Sequence, residues 1–142
     1  MPSLTRTDAA ARAALIRVVS YAIDLDLTTG PETFRSTVTI RFSAPPDAAT
    51  FAECRPVRLV SARLNGRPLD GLVDNRIPLA DLAGENELVV EAEMAYSNTG
   101  EGLHRFVDPA DGRAYLFAMA FLDQAQRIFA CFDQPDLKAP VT

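Results

Sequence analysis

Two neighbouring stretches alternate apolar and polar residues with a period of two, and this constrains the fold more than any other feature. Tyr21, Ile23, Leu25 and Leu27 fall on one side of an extended chain, with Ala22, Asp24 and Asp26 on the other. After the turn residues Thr28-Thr29-Gly30-Pro31, Phe34, Ser36, Val38, Ile40 and Phe42 alternate with Arg35, Thr37, Thr39 and Arg41. An apolar row at this spacing cannot lie on one face of a helix, so both stretches read as half-buried strands of an antiparallel hairpin. Setting Leu27 opposite Phe34 keeps both apolar rows together and brings Asp26 across from Arg35, an outward pair contributing roughly 0.2–1 kcal/mol. A slip of one residue would bury the charges instead.

The rest of the chain continues the pattern. Thr5 followed by the alanine-rich run to Leu15 reads as a short capped helix, because threonine supplies a side-chain acceptor and alanine favours the helix. Pro45-Pro46-Asp47 breaks the chain before a short strand at Thr50 to Cys54. A further strand, Leu59 to Leu64, ends at Asn65-Gly66, a dipeptide suited to a type I′ hairpin turn, with Arg67-Pro68-Leu69 as the return. Asp74 to Leu79 is another brief strand, Gly84-Glu85-Asn86 a turn, and Leu88, Val90, Ala92, Met94 and Tyr96 mark a long strand with one wet face. Ser97 to Gly102 is loop and Asp108-Pro109-Ala110-Asp111-Gly112 a turn. From Ala114 to Phe121 nearly every residue is apolar, as expected of a strand covered on both faces, one of them by something outside this chain. Short strands, frequent turns and one helix predict an all-β antiparallel sandwich in a single domain spanning residues 1–142.

Composition excludes several functions. With 48% apolar residues the 142-residue chain can bury a real core. Its fourteen Lys and Arg are scattered against nineteen Asp and Glu, for a net charge of -5, which argues against nucleic acid as a partner. The apolar stretch nearest the start is interrupted by Arg12 and Arg17 and does not resemble a signal peptide, and no apolar run is long enough to span a membrane. A cytoplasmic protein is expected, with Cys54 and Cys131 as unpaired thiols.

Catalytic chemistry is thinly supplied. His104 is the single histidine, without a second ligand at helical spacing, so a structural histidine is expected and no metal site. No G-x-S-x-G, P-loop or G-x-G-x-x-G occurs, and neither cysteine has a neighbouring histidine. Asp24 with Asp26, and Glu91 with Glu93, are two apart on strands and therefore share solvated faces.

Asn98-Thr99-Gly100-Glu101-Gly102-Leu103-His104-Arg105-Phe106-Val107-Asp108-Pro109, then Tyr115-Leu116-Phe117, then Arg127-Ile128-Phe129-Ala130-Cys131-Phe132-Asp133-Gln134-Pro135-Asp136-Leu137-Lys138-Ala139, closely resemble the aminopeptidase N family in its actinobacterial form. A weaker resemblance runs from Leu4-Thr5-Arg6 through Tyr21 to Leu25 and Leu64-Asn65-Gly66, so it covers essentially the whole chain. It implies a saddle-like amino-terminal β-sandwich that precedes a thermolysin-like domain carrying G-x-M-E-N and a zinc-binding H-E-x-x-H. This chain holds neither motif, and its end at Thr142 suggests a trimmed chain. The implied function is an accessory domain walling the substrate cleft of a zinc aminopeptidase, not catalytic alone, with zinc in the missing catalytic domain and none here.

The implied partners are that domain and a peptide substrate, with self-association of the truncated chain at its apolar run. The family lends a Gln-x-Glu motif from this domain to the active site, its Gln shaping the pocket for the first side chain and its Glu helping to bind the free amine. The ungapped register places Met119 and Phe121 at those positions, and neither can do that work: a thioether lacks the amide's donors, and a phenyl ring offers an ammonium only a weak face. Both residues as plain core is the competing expectation. The Asp133-Gln134-Pro135-Asp136 run is expected to be structural, with its aspartates accepting backbone hydrogen bonds at a turn. The alternative function is a degenerate or stand-alone β-sandwich used for binding or scaffolding.

Overall fold

The computed structural model describes residues 3–142. Its elements run α1 (Arg6–Leu15), β1 (Arg17–Asp26), β2 (Thr33–Ser43), β3 (Thr50–Glu53), β4 (Arg58–Leu64), β5 (Arg67–Pro68), β6 (Arg76–Leu79), β7 (Glu85–Ala95), β8 (Gly102–Val107) and β9 (Ala114–Met119), followed by a 3-10 turn at Ala125–Arg127. The main sheet has the order β1-β2-β7-β4-β5, and two small sheets, β3-β6 and β8-β9, stand apart from it. Every pairing between these strands is antiparallel. The all-β sandwich with a short amino-terminal helix is what the sequence predicts, and among the described residues no helix is long and apolar enough to cross a membrane.

Alternation decides which face of the main sheet is buried. On β2, Phe34, Ser36, Val38, Ile40 and Phe42 are all buried while their neighbours stay wetter, and on β7 Asn86, Leu88, Val90, Ala92 and Met94 do the same. Asp26 lies opposite Arg35, the register expected from the apolar rows. The charges, however, pair elsewhere: Arg35 bonds Glu91 on β7, and Asp26 takes the Thr28 amide and hydroxyl, which hold its carboxyl below the usual range. Arg41–Glu87 and Arg58–Glu93 complete an outer face of exposed cross-strand pairs, each worth little in water.

Against the apolar face pack Ala52 and Cys54, Ile77 and Leu79 of β6, Leu82, and the carboxy-terminal residues Ile128, Ala130, Cys131 and Phe132. Phe42 and Phe132 meet edge to face at 5.1 Å. Asn65 and Gly66 both take positive φ, 53° and 80°, the conformation a type I′ turn demands. Two expectations are corrected. Glu85 and Asn86 belong to β7 and not to a turn, because the Asn86 amide closes the preceding bend on Ala83 N and O at 2.8 Å each. Gly102, read from sequence as the end of a loop, opens β8, which continues through residues 103–107, given no secondary structure from sequence.

Helix α1 is held by a buried polar network. Thr5 caps it, its hydroxyl accepting from Asp8 N at 3.1 Å. Arg12, 2% exposed, donates to Gln134 Oε1 (2.6 Å), Phe51 O (2.9 Å) and Glu53 Oε2 (2.8 Å), with its guanidinium over the Phe51 ring. Glu53 Oε2 also accepts from Asp133 N, and Gln134 Nε2 donates to Ala9 O and Asp136 Oδ1. Asp133 accepts from the backbone N and the side chain of Gln126, the backbone contact expected of it, whereas Asp136 takes the side chain of Gln134. The Asp133–Asp136 run thus clamps the helix to the sheet through Arg12.

Candidate surface on the β8–β9 hairpin

The sequence expectation of a strand covered on both faces is not met within this chain. All six residues of β9 are exposed. The ladder to β8 sets Met119 against Gly102, Phe117 against His104 and Tyr115 against Phe106. Those residues lie on one face of the hairpin, because directly opposed residues share a face and alternate residues return to it. The face is aromatic. His104 and Phe117 stack at 4.6 Å and 27°, and Tyr115 OH closes on Asp111, drawing that carboxyl below its ordinary range. The opposite face reaches the core through buried Leu103.

Met119 is 46% exposed and Phe121 70% exposed, so the expectation of plain core residues is overturned for both. Met119 closes β9, and Phe121 stands just beyond it, before Leu122 and Asp123 turn the chain with φ of 34° and 45°. Leu122 is also exposed. The row Tyr115, Phe117, Met119 therefore continues outward toward Phe121 with no charged residue from Ala114 to Leu122.

His104 is half-buried, and its Nδ1 accepts from Gly100 N at 3.0 Å. That contact requires an unprotonated Nδ1, leaving the ring proton on Nε2 in the neutral form. The histidine holds the 97–100 loop against the hairpin instead of facing a nucleophile. Gly102, at φ 67°, passes so close to Arg127 that a Cβ there would sit 3.3 Å from the Arg127 Cβ, which keeps the root of β8 tight against the 3-10 turn.

Among the described residues no three His, Cys, Asp or Glu side chains converge where a metal ion could sit. Cys54 and Cys131 are free and buried; burial pushes the Cys54 thiol up to about 12 and the Cys131 thiol well above its usual value, so neither is poised as a nucleophile. A cleft of about 890 Å³ lies between the start of β1, the end of β2, the start of β7 and residues 136–140, and takes no residue from the hairpin. What the sequence missed is the aromatic face as a unit: once the Asp108–Gly112 turn closes, His104 and Phe106 must meet Phe117 and Tyr115.

Comparison with known proteins places these features. The chain is 48% identical to aminopeptidase N of Streptomyces lividans over 96% of its length, and spans 17% of that protein. Among solved structures it superposes on Legionella pneumophila aminopeptidase A in complex with aspartic acid, with a TM-score of 0.72 at 17% identity over 89% of this chain and 15% of that one. It also superposes on native yeast LTA4 hydrolase, with a TM-score of 0.73 at 13% identity over 90% of this chain and 22% of that one. No protein-family model matches the chain.

Proposed function

We propose, from the premise that this chain belongs to the aminopeptidase N family as an amino-terminal β-sandwich domain, that it is a non-catalytic wall of the substrate cleft in a longer cytoplasmic zinc aminopeptidase. In this reading zinc is held by a catalytic domain elsewhere in the longer protein. The observation that carries the proposal is the exposed aromatic face of β8–β9 ending in Met119 and Phe121. An apolar face of this kind on a small domain marks a surface meant to be covered. The free, buried state of both thiols suits a reducing compartment.

In this arrangement Met119 and Phe121 border the place where the first substrate residue lies. A buried ammonium needs an acceptor, and losing one charge-assisted hydrogen bond costs roughly 1.5–3 kcal/mol, a ten- to hundredfold loss in binding. The parent enzyme should therefore select weakly for a free amino terminus. The test starts by reading the gene past Thr142 for G-x-M-E-N and H-E-x-x-H. Met119→Gln with Phe121→Glu in the full-length protein should then raise kcat/KM on free-amine substrates far more than on amino-blocked ones. A stop codon at that point would sink the proposal, and so would an unmodified parent with high free-amine selectivity that the double substitution leaves unchanged. The loss of an amide and a carboxylate at these two positions favours, as a second reading, a binding module without peptidase activity, which a stop codon would support.

A further inference from the structure

Strand edges in this domain are protected in ways that can be named, and β9 is the exception. The edge of β1 is covered by residues 140–142, with Tyr21 N bonded to Pro140 O at 2.9 Å and Ile23 N to Thr142 O at 2.8 Å. The opposite edge of the main sheet is β5, two residues long and ending in Pro68, together with the part of β4 that β5 does not reach, where Arg58 supplies a charge and the register shifts between Leu59 and Ser61. In the β3–β6 pair, Glu53 exchanges backbone bonds with Cys131, and β6 carries Pro78. The outer edge of β8 takes Ser97. Coverage, brevity and proline are the usual protections of a sheet edge. The outer edge of β9 makes no backbone hydrogen bond with any described residue, and no charge or proline interrupts Ala114 to Leu122.

The register of that open edge follows from its neighbours. Ser97 N bonds Leu103 O and Arg105 N bonds Ser97 O, so Leu103 and Arg105 direct their backbone groups away from β9. Gly102, His104 and Phe106 therefore bond Met119, Phe117 and Tyr115, which leaves the amides and carbonyls of Leu116 and Ala118 pointing outward.

We propose that two copies of this 142-residue chain pair antiparallel through these edges, with Phe117 on the two-fold axis, giving a four-stranded sheet β8-β9-β9-β8. Leu116 of each copy then exchanges both backbone bonds with Ala118 of the other, a large residue facing a small one. Phe117 meets its own copy in the non-hydrogen-bonded position, where side chains approach more closely, and Tyr115 meets Met119. An isologous contact needs a self-complementary strip, and an uncharged one brings no like charges together although each copy carries a net charge of -5. The pairing is proposed for the 142-residue chain by itself, and in a longer protein a domain covering the same hairpin would exclude it.

Sedimentation equilibrium over a wide concentration range tests it on the 142-residue chain, with far-UV circular dichroism to confirm that each variant folds. The wild-type chain should reach a saturable dimer. Phe117→Lys and Phe117→Glu should each raise the dissociation constant at least about tenfold, and an equimolar mixture of the two should recover a heterodimer because the opposite charges meet on the axis. Phe121→Lys, which lies outside the paired ladder, should leave the dimer in place, and hydrogen exchange of the Leu116 and Ala118 amides should slow with concentration. A wild-type chain that stays monomeric, association that grows without saturating, loss of the dimer in Phe121→Lys, or no recovery on mixing overturns the proposal. If a variant fails to fold, the concentration dependence of the Leu116 and Ala118 amides in the wild type decides alone.

Discussion

Replacing Arg12 by Met should be among the most damaging single changes in this domain, although Arg12 lies on a short surface helix. The substitution keeps much of the aliphatic stem but deletes three hydrogen bonds of 2.6, 2.9 and 2.8 Å. It strands Glu53, which is 5% exposed, whose Oε1 already lacks a partner and whose Oε2 would keep only the Asp133 amide at 3.0 Å. Breaking a buried ion pair from one side costs roughly 3–5 kcal/mol, because the remaining charge is left uncompensated. For a chain of this size that is a fall in Tm on the order of 10 °C. The chain has no tryptophan, so urea unfolding is best followed by far-UV circular dichroism in dilute solution. Adding Glu53→Leu to Arg12→Met should restore part of the loss, since replacing both partners by apolar groups removes the stranded charge. The reasoning fails if Arg12→Met costs less than about 1 kcal/mol, or if the double variant is no more stable than the single one.

Two further outcomes follow from burial. At pH 8, with its thiol pushed up to about 12, Cys54 should resist alkylation in the folded chain, as should Cys131, and both should react together at the rate of global unfolding; rapid labelling of either without denaturant contradicts this. Burial raises the Asp133 carboxyl above its ordinary 3.8, so its contribution to stability is fully present below that value and is lost as pH rises through the raised one. Asp133→Asn keeps an acceptor for Gln126, and its stability should therefore gain on wild type between pH 3 and 7; a difference that stays flat over that range refutes the assignment.

The strands of the main sheet were legible because one face is buried and the other wet, which writes a period of two into Tyr21 to Leu27 and Phe34 to Phe42 and fixes the Asp26–Arg35 register. The ion partners were not legible. Arg35 can reach either neighbouring strand, and only the sheet order β1-β2-β7 brings Glu91 beside it. Arg12 reads as an ordinary charged residue in an alanine-rich helix, since nothing local reveals that Glu53 and Gln134, 41 and 122 residues away, close around it. The Ala114–Phe121 run misled for a physical reason: an uncharged strand reads as doubly covered wherever its cover resides, and here all six residues of β9 are exposed among the described residues. Met119 and Phe121 were placed by resemblance alone, and their exposure follows from that same open hairpin.

The central claim, that the β8–β9 face is built to be covered by the rest of a longer peptidase, is tested most directly by hydrogen exchange at Ala114–Met119. The 142-residue chain, kept dilute enough to be monomeric, should be compared with the full-length parent protein. We expect the Leu116 and Ala118 amides, which point to the open edge, to exchange freely in the separate chain and to be protected in the parent, while the β2 and β7 amides are protected in both. Equal, rapid exchange of Leu116 and Ala118 in the two proteins would contradict the account.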